Sequence, residues 1–184
     1  MRRIAFFAAA ALLATPAFAT LAPGAVAPDF QTRGAIAGKV FKVHLKERLK
    51  HGPVVLYFFP AAYTGGCNAE AHAFAEAIDQ FKAAGATVIG MSGDSVETLV
   101  KFSAEKCAGK FAVASAGPEI IKGYDVDLAG KTHTDAGGVA RAMTSRTSYV
   151  IAPDGKITYV HSQMGFEDHV KNTLAAVQAL KAKG

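Results

Sequence analysis

Residues Val54–Ala71 read VVLYFFPAAYTGGCNAEA, and the reading of this stretch decides the fold. Val54–Phe59 is an unbroken apolar run of strand length, the pattern of a strand covered on both faces. Pro60 ends it, because proline has no N–H to give to a ladder. A turn of small residues follows. Ala71, Phe74, Ile78 and Phe81 then recur at helical spacing, up to a fitting stop at Gly85. Cys67 therefore falls at or just inside the start of a helix. The first N–H groups of a helix lack intrahelical partners and the positive end of its dipole lies there, so a thiol at that place is favoured as thiolate. On these grounds Cys67 is a candidate nucleophile.

On the N-terminal side, Thr20–Pro28 is a Pro/Gly/Ala entry segment expected to be partly ordered. Phe41–Leu45 alternates like a half-exposed strand, and Leu45–Gly52 reads as a basic surface turn or short helix. On the C-terminal side, Thr87–Met91 is a second buried strand. Asp94 with Glu97 has the spacing of a helix N-cap and its capping box, and the helix it opens runs on to Cys107. Phe111–Ser115 is a short strand and Pro118–Lys122 a helical turn. Asp125–Arg141, rich in Gly, Asp and Thr, reads as an extended surface loop. Thr147–Ile151 and Lys156–His161 form a hairpin around Ala152–Gly155, and Phe166–Ala182 closes the chain as an amphipathic helix. The strand–helix–strand part demands right-handed parallel crossovers and the late hairpin adds antiparallel strands. The fold expected is α/β, a single thioredoxin-like domain with a mixed central sheet and helices on both faces.

With 184 residues, 51% of them hydrophobic, the chain suffices for one packed domain, and no repeat or linker divides it. Its first nineteen residues stand apart. Arg2 and Arg3 are a basic start, Ile4–Ala14 an apolar core too short to span a bilayer, and Ala17-Phe18-Ala19 a cleavage site. Residues 1–19 are expected to be a secretory signal peptide and 20–184 the mature domain, periplasmic or extracellular. The paired arginines leave Sec and twin-arginine export both open. Loss of the leader brings the formal charge from +5 to +3, with no basic run, so nucleic acid is not an expected partner. In an oxidising compartment Cys67 and Cys107 read by default as one disulfide. The six histidines show no zinc-site spacing and are expected on the surface or in loops. Asp125-Val126-Asp127 lacks the remaining ligands of a calcium loop, and no metal or cofactor is expected.

Pro60, Thr64 and Cys67 stand as P-x-x-x-T-x-x-C. With FFPAAYTGGCNAEA around them, this segment resembles the active-site segment of peroxiredoxins, most closely the bacterioferritin-comigratory-protein (PrxQ) subfamily. Met91–Ser95, Lys101–Cys107, Arg146–Ile151 and Pro153–Lys156 extend the likeness in family order over about Pro28–Tyr159. The resemblance implies a thioredoxin fold and thiol-dependent reduction of hydrogen peroxide or organic hydroperoxides, with an external thiol or thioredoxin-like reductant. It implies Cys67 as peroxidatic cysteine, Thr64 as its hydroxyl partner, Pro60 as its shield and Arg146 as the arginine facing the sulfur. Glu70 matches an acidic position that orients arginine. Many relatives carry a second cysteine five residues after the first, where this chain has His72. The resemblance therefore makes Cys107 the resolving cysteine, within one chain, and a monomer the default.

Cα atoms must approach within about 7 Å to be bridged, so a thiol at one helix start and another near the end of the next helix are expected to meet only after local unwinding. Two other readings of the residues stand beside this one. A structural Cys67–Cys107 disulfide in a non-catalytic thioredoxin-like domain would be worth roughly 4 kcal/mol by loop entropy, but it leaves Thr64 and Arg146 without a role. An exported thiol–disulfide exchange protein would normally carry C-x-x-C, whereas Cys67 is followed by Asn68-Ala69-Glu70.

Overall fold

The computed structural model of the chain describes residues 20–135 and 137–182, so the expected leader, Met1–Ala19, lies outside the described residues. In chain order the elements are β1 (Gln31–Ile36), β2 (Lys39–His44), α1 (Leu45–Leu49), β3 (Val54–Phe58), α2 (Gly65–Ala83), β4 (Thr87–Ser92) and α3 (Val96–Glu105). They continue with β5 (Ala112–Ser115), α4 (Pro118–Gly123), β6 (Asp127–Thr134), β7 (Ala140–Thr144), β8 (Thr147–Ile151), β9 (Ile157–Ser162) and α5 (Glu167–Lys181). Seven strands form one sheet in the order β2-β1-β5-β4-β3-β8-β9. β3, β4 and β5 run parallel, and β8, β9, β1 and β2 join antiparallel at the two sides. This is the thioredoxin-like mixed sheet that the residue pattern predicts. Among the described residues, no helix is long and apolar enough to cross a membrane.

β3 is the hinge of the architecture. All five of its residues are buried, and alternate side chains feed opposite layers. Val55 and Tyr57, continued by Phe59, pack with α2, α3 and α5; Val54, Leu56 and Phe58 pack with residues of α1 and α4. Both cysteines belong to the first layer. Tyr57 stacks on Phe74 of α2 with centroids 4.3 Å apart, and its register partner on β4 is Gly90. A Cβ on Gly90 would stand 2.7 Å from Tyr57 Cζ, so the absent side chain is what lets the ring lie flat over β4.

Two expectations need correction. The Asp125–Arg141 stretch is no loop: β6 and β7 pair as a separate two-stranded ribbon. Its residues are mostly exposed, so no apolar alternation announced it, and pairing rather than burial makes the strands. Asp135 closes its turn by accepting from the N–H groups of Gly137 and Val139 and from Arg141 Nε. The cap of α3 is Ser95, whose hydroxyl accepts from Thr98 N–H, and not Asp94. Asp94 is turned inward. β1 has no periodic signature, since Gly34 at its middle must lie against the Val113 carbonyl of β5. Of the turn and the short helix read for Leu45–Gly52, the helix forms, as α1, with Leu45 and Leu49 buried. The entry segment is pinned to the β8–β9 turn by Ala27 N–H on Gly155 O, 2.9 Å, and Gly24 N–H on Ile157 O, 2.7 Å.

Gly90→Ala forces a methyl into the Tyr57 ring and is expected to destabilise the fold by about 1–3 kcal/mol. Urea denaturation at neutral pH reads this directly, and an unchanged midpoint would show that the ring moves aside freely.

Candidate active site

The site forms where β3 gives way to α2. Phe59 N–H still bonds Met91 O at 2.9 Å, extending the parallel pairing by one residue before the buried Pro60 ends it. The loop Ala61–Thr64 is then held from two sides. Ala62 N–H donates to Asp94 Oδ2 at 2.7 Å, and Ser92 Oγ donates to the same oxygen at 2.8 Å. Thr144 Oγ1 at the end of β7 donates to Phe59 O at 2.8 Å. Tyr63 takes a left-handed φ of 65°, unusual for a residue with a side chain, and turns the chain into the helix. The inward Asp94 is thus a support of this loop that the capping pattern concealed.

Thr64 is the N-cap residue of α2, yet its hydroxyl makes no cap bond and donates to Ala61 O at 3.0 Å. Cys67 is the third residue of the helix and is 2% exposed. Arg146, immediately before β8, reaches it with Nη2 at 3.5 Å from Sγ. The approach depends on Gly66, where a Cβ would already lie 3.2 Å from that same nitrogen. The other guanidinium nitrogens are also engaged: Nη1 pairs with Glu70 Oε2, and Nε donates to Met164 O at 2.8 Å. Glu70 lies one turn after Cys67, so one face of α2 presents both the sulfur and the carboxylate to a single cation.

The ionic state follows from burial and pairing. Burial alone would lower the Arg146 pKa, but Glu70 and Cys67 raise it, and the guanidinium stays charged. Burial pushes Glu70 up to about 7 against the pull of Arg146. Cys107 lies just past the end of α3 rather than within it, fully buried, and burial raises its thiol far above the ordinary range. Both cysteines are free thiols in this state. The structure therefore brings together Cys67, Arg146 and Glu70, sets Pro60 and Thr64 in the loop beside them, and leaves Cys107 unlinked in the same core layer. Among the described residues, no three His, Cys, Asp or Glu side chains are grouped to hold a metal ion.

One expectation about the histidines fails here. His169 is fully buried on α5, with Nδ1 2.8 Å from Ser148 Oγ and 3.9 Å from Glu70 Oε1. The apolar stripe of the helix hid it, because the deepest row is His169, Thr173 and Val177, one turn apart.

The AhpC/TSA family pattern matches residues 23–160. The chain belongs to the AhpC/TSA family. It is 31% identical over 167 residues to peroxiredoxin Q, chloroplastic, of Sedum lineare, covering 89% of this chain and 82% of that one. It is 32% identical over 160 residues to putative peroxiredoxin Q, chloroplastic, of Oryza sativa subsp. indica, covering 85% and 67%. Peroxidoxin BcpB from Mycobacterium tuberculosis superimposes with a TM-score of 0.72 at 28% identity, covering 86% and 97% of the two chains. Peroxiredoxin Q of Xanthomonas campestris superimposes with a TM-score of 0.66 at 26% identity, covering 81% and 90%. The activity is that of a thiol-dependent peroxidase on a peroxiredoxin fold.

Two buried groups oppose each other in their pH dependence. Glu70, raised to about 7, disfavours the folded state once ionised, so its effect on stability declines as pH rises from about 4.5 to 7. His169, lowered to about 4 chiefly by burial, must stay neutral, so its contribution is full above about 6.5 and is lost as pH falls to 4. Glu70→Gln leaves the second slope alone and is expected to lose on the order of 3 kcal/mol between pH 6.5 and 4, relative to its own neutral value. His169→Gln leaves the first and gains stability on acidification from pH 7 to 4.5. Denaturation midpoints across pH at constant ionic strength measure both, and identical slopes in the two variants would contradict the assignment.

Proposed function

We propose that Cys67 is the peroxidatic residue of this peroxidase and that Cys107 resolves it within the same chain. The observation that carries the reading is the Arg146 guanidinium, buried, charged and aimed at the Cys67 sulfur from 3.5 Å. A cation there and the free N–H groups of the first turn of α2 favour thiolate. They also stand where the two peroxide oxygens would lie in line with the sulfur, and so stabilise charge moving onto the leaving oxygen. The Thr64 hydroxyl spends its proton on Ala61 O, which leaves its lone pairs to accept the O–H of a hydroperoxide. Pro60 and the small-residue turn keep bulk water from the sulfur.

In the first step the Cys67 thiolate takes the terminal peroxide oxygen. The O–O bond breaks, the sulfur is oxidised to sulfenic acid, and the leaving oxygen takes a proton to depart as water or alcohol. In the second, the Cys107 sulfur displaces hydroxide from that sulfenic acid, and with one proton this releases water and forms the disulfide. An external dithiol of thioredoxin type then reduces the bond. Hydrogen peroxide and organic hydroperoxides are both substrates of this scheme. The alternative of a purely structural staple leaves the guanidinium on Cys67 without purpose.

Resolution requires α3 to open. Cys107 is buried with its thiol strongly disfavoured as thiolate, and ionisation needs water. The latch is Phe102, which stacks on Phe59 at 5.4 Å and takes the Tyr63 ring edge-on at 5.4 Å. Ala108 and Gly109 beyond Cys107 both hold left-handed φ, of 49° and 64°, and mark where the segment bends. The pattern of Arg2–Ala19 supports export, and the single-chain pairing supports a monomer; N-terminal sequencing of the exported protein and a non-reducing gel of oxidised protein test these two points.

Cys67→Ser is expected to abolish peroxide turnover, and Cys107→Ser to consume about one equivalent before stalling without added thiol. Mass mapping after one equivalent of peroxide should show the two cysteines joined in one chain; sustained turnover by Cys67→Ser would reject the assignment. Phe102→Leu weakens the latch by about 1 kcal/mol and is expected to speed disulfide closure several-fold in stopped-flow traces. Unchanged closure would mean that α3 need not open.

A further inference from the structure

The scheme above leaves one buried ionisable side chain without a task. His169 Nε2 lies 2.9 Å from the Gln163 carbonyl, which can only accept, so that nitrogen carries the proton. In the neutral ring Nδ1 is then an acceptor, and Ser148 Oγ, 2.8 Å away, donates to it. Two partners on different elements thus hold the ring in one tautomer and one orientation.

Both partners lead to the arginine. The residue after Gln163 is Met164, whose carbonyl receives Arg146 Nε at 2.8 Å. Two successive carbonyls of the β9–α5 connection are therefore claimed by His169 and by Arg146. Met164 is otherwise 54% exposed, so its own side chain does little to fix this peptide. Ser148 lies in β8, two residues after Arg146. Beyond it sits Glu70 Oε1, buried, 3.9 Å from Nδ1 and without a hydrogen-bond partner, while Oε2 of the same carboxylate holds Arg146 Nη1.

We propose that His169 is a positioning residue for the Arg146 guanidinium: its neutral imidazole pins the Gln163–Met164 peptide and the Ser148 side chain, which together keep Nη2 on the Cys67 sulfur. The proposal rests on the assignment of Cys67 and Arg146 made above. The ring must stay neutral for this, since a proton on Nδ1 would reverse the Ser148 bond, with the ring then donating to Oγ, and would set a second buried cation beside Arg146. Its surroundings enforce that. Burial pushes His169 down to about 4, and His161 of β9, edge-on at 4.5 Å, and Arg146 push the same way. The Gln163 carbonyl and the neighbouring Asp168 pull in the other direction without prevailing, and Glu70 completes the set of facing groups.

The test compares His169→Phe, which keeps a flat ring and loses both nitrogens, with His169→Gln, which keeps a donor and an acceptor. His169→Phe is expected to lose about ten- to hundredfold in the second-order rate with hydrogen peroxide, with the KM for the reductant unchanged. The pH profile of Cys67 alkylation by iodoacetamide should move to higher pH, and His169→Gln should recover most of both effects. In an Arg146→Ala background, His169→Phe should cost nothing further, because the group it positions is gone. If His169→Phe proves unstable, Ser148→Ala reads the same two quantities and should shift them in the same direction. An unmoved alkylation profile in every folded variant, or an equal loss with and without Arg146, overturns the proposal. The alkylation readout needs no peroxide turnover, so an error in the peroxidase scheme would show in Cys67→Ser and not here.

Discussion

The Arg146 guanidinium is charged and buried, and the site is built to make that tolerable. Taking such a cation out of water costs several kcal/mol unless every donor finds an acceptor. Here the acceptors come from separate parts of the chain: Glu70 and Cys67 on α2, and the Met164 carbonyl between β9 and α5. Losing any one of them leaves part of a buried charge unpaired. The convergence of β8, α2 and the β9–α5 connection is therefore a condition for the cation to exist at that depth, and the Cys67 sulfur shares in the arrangement.

The same packing sets up a conflict that peroxidase chemistry has to resolve. The Cys67 sulfur is protected, 2% exposed under a proline-led loop, and the aromatic layer of Phe59, Tyr63 and Phe102 packs beside that loop. The second thiol sits in the same layer, also protected, and there it is inert. In the scheme proposed above, reaction with a small peroxide uses the closed form, whereas disulfide formation needs water and movement around Cys107. The turn beyond α3, where Ala108 and Gly109 hold left-handed φ, is a suitable place for that movement.

Much of this was legible in the chain itself. The apolar run of β3, the proline after it and the helical spacing of Ala71, Phe74, Ile78 and Phe81 located Cys67, because burial on both strand faces and on one helix stripe writes directly into residue order. The Asp125–Arg141 ribbon was not legible, since its strands are defined by hydrogen bonds between exposed residues. The role of Asp94 was misread for a related reason. Its spacing to Glu97 fits a cap, but the carboxylate instead takes the N–H of Ala62 across the site, and Ser95 caps the helix. Local patterns compete, and the distant partner won.

What the residue order determined on its own was the alternation of buried strand and amphipathic helix, and hence a thiol at a helix start. Those features depend on neighbours a few positions apart. Periodicity and spacing did not say which cation meets that thiol, a place only the family resemblance gave to Arg146 with Glu70; tertiary structure alone decided that the Met164 carbonyl also holds it and that His169 lies buried behind them. A contact spanning about eighty residues, such as Arg146 with Cys67, leaves no periodic trace, because it arises only when the sheet brings its strands side by side.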